Sequence, residues 1–241
     1  MATKSKKTSP DTTAKATTDL NKIEEIKSVI KQGIEKDSFF TGPAKYFPEE
    51  ALKSCKEDFL SDRHIEMIYA TLTAWGMHRL GETGAEMPDY KCFKCSILGC
   101  KEKLEKLRDE SIREITEMKE GARETMDTII DKLEDLVFNE IIASGTDSHL
   151  VASTKTLAHI LPDLVPPMDR RYTARYFGKS MQNPDQQKKM FKFVMNALWS
   201  VYQDKDVRKK ALAYCDKHPY VSLPKLFDNA IIQIQRGKGT K

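Results

Sequence analysis

Nowhere in these 241 residues does an uninterrupted apolar run reach the length of a membrane crossing. The start of the chain also lacks the apolar core of a signal peptide, so a cytoplasmic location is the expectation and no membrane is expected as a partner. Sustained period-two alternation is missing as well. Tyr220-Val221-Ser222-Leu223 is too short to count, which leaves no strand pattern to organise a sheet. Absent too are a Walker loop, a His-Glu-x-x-His pair, a nucleophile elbow and a dinucleotide fingerprint. The motif-bearing enzyme classes built on those signatures are thereby set aside, and no cofactor is expected.

Cysteine is scarce and odd in number: Cys55, Cys92, Cys95, Cys100 and Cys215. Without a secretory signal this count implies reduced thiols rather than a disulfide framework. Cys92, Cys95 and Cys100 cluster tightly, but no second ligand pair stands at zinc-site spacing. The trio therefore reads as buried or surface thiols, and no metal is expected.

What the chain does contain suits a globular helical protein: 39% hydrophobic and 32% charged residues in a length that can bury a full core. Charge is unevenly spread. Residues 1–154 carry 23 Lys and Arg against 29 Asp and Glu, a balance of −6, whereas residues 155–241 carry 17 against 7, or +10. The positive charge runs through Arg170, Arg171, Arg175, Lys179, Lys188, Lys189 and Lys192, and resumes at Arg208, Lys209 and Lys210. A one-sided basic surface is the footprint of a phosphate-backbone binder, or a solvated face that pairs with the acidic half.

Apolar spacing predicts helices almost throughout. Residues 1–19, rich in Thr, Ser, Lys and Ala, read as a disordered basic tail. From Asp19 onward a helix carries Leu20, Ile23, Ile26, Ile30 and Ile34 on one face, and Gly42-Pro43 breaks it. Further helices are expected from Pro48 and after Ser61. The second of these bears Ile65, Ile68, Leu72 and Trp75, with Trp75 expected in the core and His78 and Arg79 at its edge. Residues 101–143 repeat Leu104, Leu107, Ile112, Ile115, Met118, Ala122, Met126, Ile129, Leu133 and Leu136 at three- to five-residue steps. Gly121 is expected to divide that stretch into an antiparallel helix pair, a surface for a protein partner or self-association. Later helices span Pro184 to Tyr202, Lys205 to Tyr214, and a last one opened by Ser222-Leu223-Pro224. The expected fold is all-α: one helical domain over residues 20–241, with lobes about 20–145 and 146–241.

One segment concentrates candidate chemistry. In Ser153-Thr154-Lys155-Thr156-Leu157-Ala158-His159-Ile160-Leu161, Ser153 or Thr154 reads as the N-cap of a short apolar helix. Pro166-Pro167 then fixes a corner. Asp169 is placed to cap a helix from Arg170 to Phe177, with Gly178 as its stop. The scattered histidines, including His159, read as exposed or satisfied side chains.

Lys155, Thr156, the apolar run Leu157 to Leu161, Pro167, Asp169 and Arg175 resemble the core of the helix-hairpin-helix base-excision DNA glycosylases, the endonuclease III-like superfamily. The resemblance covers about residues 150–178, and Val151-Ala152-Ser153-Thr154 stands where that family places glycines. It implies DNA as partner and base excision or abasic-site lyase activity. Asp169 would stabilise an oxocarbenium-like sugar, and Lys155 would attack the sugar carbon. Ser153, Thr154, Arg170, Arg171, Arg175 and Lys179 would hold phosphates, with Tyr172 or Tyr176 stacking beside an exposed base. A different class is implied by residues 101–143 alone: a noncatalytic helical interaction protein.

Overall fold

The computed structural model describes residues 10–35, 46–77, 87–141 and 149–238, and these are helical with no strand among them. The all-α expectation holds. No described helix is long and apolar enough to cross a membrane.

Helix α1, Pro10–Glu35, starts ahead of Asp19, so the helix reaches back into the segment read as a tail. Proline's fixed φ and missing N–H suit a first helical position, and the alanines and lysines that follow are good helix formers. Residues 1–9 and the Gly42-Pro43 break lie outside the described residues. Ile26 and Ile30 of α1 are buried, while Leu20 is exposed. Helices α2, Tyr46–Glu57, and α3, Asp62–Ala74, pack on each other. Ser61 caps α3, its hydroxyl accepting from the His64 amide at 3.2 Å.

The stretch read as one helix pair is instead divided more finely. After α4, Tyr90–Gly99, come α5, Lys101–Arg108, α6, Ile112–Glu117, and α7, Ala122–Asp135, which runs into a π-helical turn at Leu136–Glu140. Ser111 caps α6 and starts a new direction, a break that apolar spacing does not register. Gly121 does act as a boundary, with φ 70° ahead of α7. Leu104, Leu107, Ile112, Ile115, Met126, Ile129, Leu133 and Leu136 are all buried in the chain's own core. Met118 is the large apolar side chain left exposed among residues 101–141, so a partner there meets mainly polar faces.

Helix α8, His149–Ile160, packs on α2 and α3 and on the π turn that ends α7. A second π turn, Arg170–Ala174, leads into the short α9, Arg175–Phe177, which Gly178 stops at φ 62°. Helices α10, Pro184–Tyr202, α11, Lys205–Lys217, and α12, Leu223–Lys238, complete the chain, and α1 lies against all three. Tyr176 clasps α9 to α1, its hydroxyl donating to the Lys22 carbonyl at 2.7 Å, while the Lys22 amine donates to the Phe177 carbonyl at 3.1 Å. One contiguous apolar core runs through both halves of the sequence. Burial of this kind supplies most of the stability of such helices, since isolated ones are marginal.

Candidate functional site

The interior face of α8 and the polar face of α12 meet a common cavity of about 480 Å³. Lys155, Ala158, His159 and Pro162 reach it from α8 and the turn that follows, at the three- and four-residue steps of one helix face. Lys225, Asp228, Asn229, Ile232 and Arg236 do the same from α12. Trp75, Asp169 and Tyr172 also line it, so the lysine and the aspartate singled out from the sequence share one site.

Asp169 sits just before the π turn in extended conformation (φ −149°, ψ 170°) and caps it. Its Oδ1 accepts from the Tyr172 amide at 2.6 Å and the Thr173 amide at 3.4 Å, and Thr173 Oγ1 accepts in return from the Asp169 amide at 3.2 Å. The carboxylate is thus fixed as a helix cap while facing the cavity.

Lys155 lies inside α8 rather than at a helix start, because the helix begins earlier, at His149. Its ammonium stands 5.5 Å from the centroid of the Trp75 ring, a cation–π contact. Desolvation lowers its pKa from the ordinary 10.5, assisted by the charge of Lys225 and opposed by Asp169 and Asp228. On α12, Lys225 pairs with Asp228 at 2.7 Å. Burial raises the Asp228 carboxyl above its ordinary range, with the Lys225 charge opposing. Lys155, Asp169, Lys225 and Asp228 thus converge on one aromatic-walled space.

Trp75 is half-buried, packed against the core as expected on one side and walling the cavity on the other, its ring 5.3 Å from that of His159. His159 itself is buried and unsatisfied, contrary to the exposed or partnered reading, because neither ring nitrogen has a hydrogen-bond partner. Desolvation, with Lys225 and His64 adding to it, pushes its pKa down to about 3. The neighbouring His64 is held through both nitrogens: Nδ1 accepts from the Leu60 amide at 3.1 Å, and Nε2 donates to the His159 carbonyl at 3.1 Å. Burial lowers His64 to about 4. The bond to His159 ties the first turn of α3 to the cavity-facing helix.

Ser153 and Thr154 are fully buried and committed inside the protein. The Ser153 hydroxyl donates to the Ile141 carbonyl at 3.3 Å. Thr154 donates to the Leu150 carbonyl at 2.7 Å and accepts from the Met168 amide at 3.2 Å. The phosphate-facing helix start expected there is not formed. Arg170, Arg171 and Arg175 are exposed around Asp169, and the Arg171 and Arg236 guanidiniums lie 5.4 and 6.0 Å from the Tyr172 ring centroid. Lys179 is half-buried against the Phe193 ring and pairs with Asp19 at 3.5 Å. Lys192 pairs with Asp131 and Glu134, and Lys210 with Glu35, so part of the basic stripe is neutralised by the acidic half. Tyr172 lines the cavity, while Tyr176 is held by α1 as described.

Among the described residues no cluster of three or more metal-ligating side chains occurs. Cys92 and Cys95 are exposed, and Cys100 is buried with its thiol donating to the Ile97 carbonyl at 3.2 Å. His78 and Arg79 lie outside the described residues. Sequence reasoning missed Lys225, Asp228, Asn229 and Arg236, whose signal is a polar stripe opposite the apolar stripe of α12. Compared with known protein families, characterised proteins and solved structures, the chain matches none.

Proposed function

We propose that this protein is a DNA-binding enzyme of the base-excision type that uses Lys155 as an amine nucleophile on an abasic-site sugar. The observation that carries the proposal is the convergence of a desolvated Lys155 with Asp169 and Asp228 in one aromatic-walled cavity. Desolvation and a neighbouring cation favour the neutral amine, the form that attacks a carbonyl carbon. In that step the amine nitrogen bonds to the aldehyde carbon, and the aldehyde oxygen departs as water carrying both amine hydrogens. Protonation of the resulting imine gives a cation that the Asp169 carboxylate stabilises. Solvent supplies that proton. Arg170, Arg171, Arg175 and Arg236 supply positive charge for flanking phosphates near the cavity.

The test is a duplex carrying one abasic site, incubated with the protein and sodium borohydride. The proposal expects a covalent protein–DNA adduct and strand cleavage. It expects adduct yield to fall at least about a hundredfold in Lys155→Ala, as loss of a covalent nucleophile requires. Binding should also weaken steeply with salt. Equal trapping in Lys155→Ala would overturn the assignment. A second reading, a Lys155 enzyme for a small carbonyl compound, is favoured by the internal commitment of Ser153 and Thr154. It predicts adducts with free aldehydes and no salt-sensitive DNA binding.

A further inference from the structure

The lysine chemistry leaves two buried polar side chains of the cavity lining unused. His159 is 5% exposed and Asn229 7%, and both line the cavity. Neither ring nitrogen of His159 has a hydrogen-bond partner, nor does Oδ1 of Asn229. Buried polar atoms are almost always partnered, so three exceptions on two cavity-lining side chains call for a ligand. His159 stays neutral at ordinary pH, which gives it one N–H donor and one acceptor nitrogen. The Asn229 amide adds an acceptor; turned over, it would add a donor, and the pair would still offer both kinds. Flat surfaces accompany them: Trp75 lies against the His159 ring, and Tyr172, Tyr214 and Tyr220 also face the cavity.

We infer that His159 and Asn229 together make a binding subsite for an uncharged planar ring with a cis-amide edge, an adjacent N–H and C=O as in a lactam or cyclic imide. The neutral imidazole and the amide complement such an edge, and the aromatic side chains complement its faces. Neither side chain carries a charge that would call for an ionic ligand. The inference shares the cavity with the Lys155 proposal but does not need Lys155 to react. An abasic sugar has no such ring, so the subsite separates substrates that retain a planar ring from those that have lost it.

Ligand-observed NMR on the full chain tests it with 2-pyridone and N-methyl-2-pyridone, which differ in the donor hydrogen. Saturable binding of 2-pyridone is expected, weaker by about tenfold or more for the N-methyl compound, because a site built to hydrogen-bond rejects the analogue lacking the group. Asn229→Leu and His159→Phe should each weaken 2-pyridone by about tenfold, the loss of one hydrogen bond. His159→Phe keeps the backbone carbonyl that His64 holds, and if it melts early, Asn229→Leu decides alone. Equal binding of the two compounds, unchanged binding in the folded variants, or no saturation by 2-pyridone would each overturn the inference. Since 2-pyridone has no aldehyde to trap, failure of the borohydride experiment leaves this result standing, and the reverse also holds.

Discussion

The cavity between α8 and α12 and the helical layer α5–α7 treat their polar groups in opposite ways. In the layer, no charged side chain is buried and several are paired. Lys103 reaches Asp135 at 2.8 Å and Glu140 at 2.6 Å, Arg123 reaches Asp127 at 2.7 Å, and every large buried side chain there is apolar. Around the cavity, Lys155, Asp228 and His159 are desolvated with displaced pKa values, and His159 and Asn229 hold polar atoms without partners. A layer that only needs to be stable leaves its charges in water. Keeping ionisable groups in a poor solvent lowers stability, and that pattern is characteristic of sites shaped by function.

Core truncation should produce the largest effect and fall on the layer alone. Leu133→Ala, at a fully buried position, is expected to cost about 2–5 kcal/mol in urea denaturation while leaving 2-pyridone binding intact. Loss of binding along with stability would erase the distinction between the regions.

Acid should act on the cavity side. His64 and His159 have folded pKa values of about 4 and about 3 against an ordinary 6.5, so below 6.5 the unfolded chain binds protons that the folded chain does not. Their stabilisation is complete above that value and is lost as pH falls from 6.5 toward 4, by on the order of a few kcal/mol. The raised carboxyl of Asp228 works against this trend and reduces it. Urea midpoints that stay flat between pH 7 and 4.5 would contradict the burial of these histidines.

Replacing the strained charges should stabilise. Lys155→Met and Asp228→Asn remove groups whose charged forms the fold disfavours, and each is expected to raise stability at pH 7 by about 1 kcal/mol in calorimetry. Destabilisation by both would show that these charges hold the fold together. The smallest effect belongs to the exposed layer: Lys103→Ala, despite its two acidic partners, should change stability least of all these variants in the same assay.

Much of the fold was legible because capping side chains announce their helices. Ser61 and Asp169 each accept a backbone amide where the sequence placed a helix start, and Gly178 stops α9 in the left-handed conformation that glycine favours. The same signal misled at Ser153 and Thr154. Hydroxyl residues read as caps, but inside a helix Thr154 bonds back to the carbonyl four residues earlier, a competition that sequence alone does not resolve. Lys155 and Asp169 were identifiable as unusual residues on one apolar-helix-and-corner segment. Asp228 and Asn229 were not, since the apolar face of α12 is what its spacing announces, and what its polar face meets depends on packing against distant elements. Trp75 shows the ambiguity most plainly: an aromatic at helical spacing looks the same whether it fills a core or walls a cavity.

The proposed chemistry needs Lys155 to lose its proton more easily than a solvated lysine does. Selective 13C labelling of lysine side chains, with Lys155→Arg to assign the resonance, gives its titration directly. A midpoint below the ordinary 10.5 is the predicted result, moving upward in Lys225→Met as the neighbouring positive charge is removed. A midpoint at or above 10.5 would place the ammonium in an ion pair rather than in a desolvated cavity and would contradict the account.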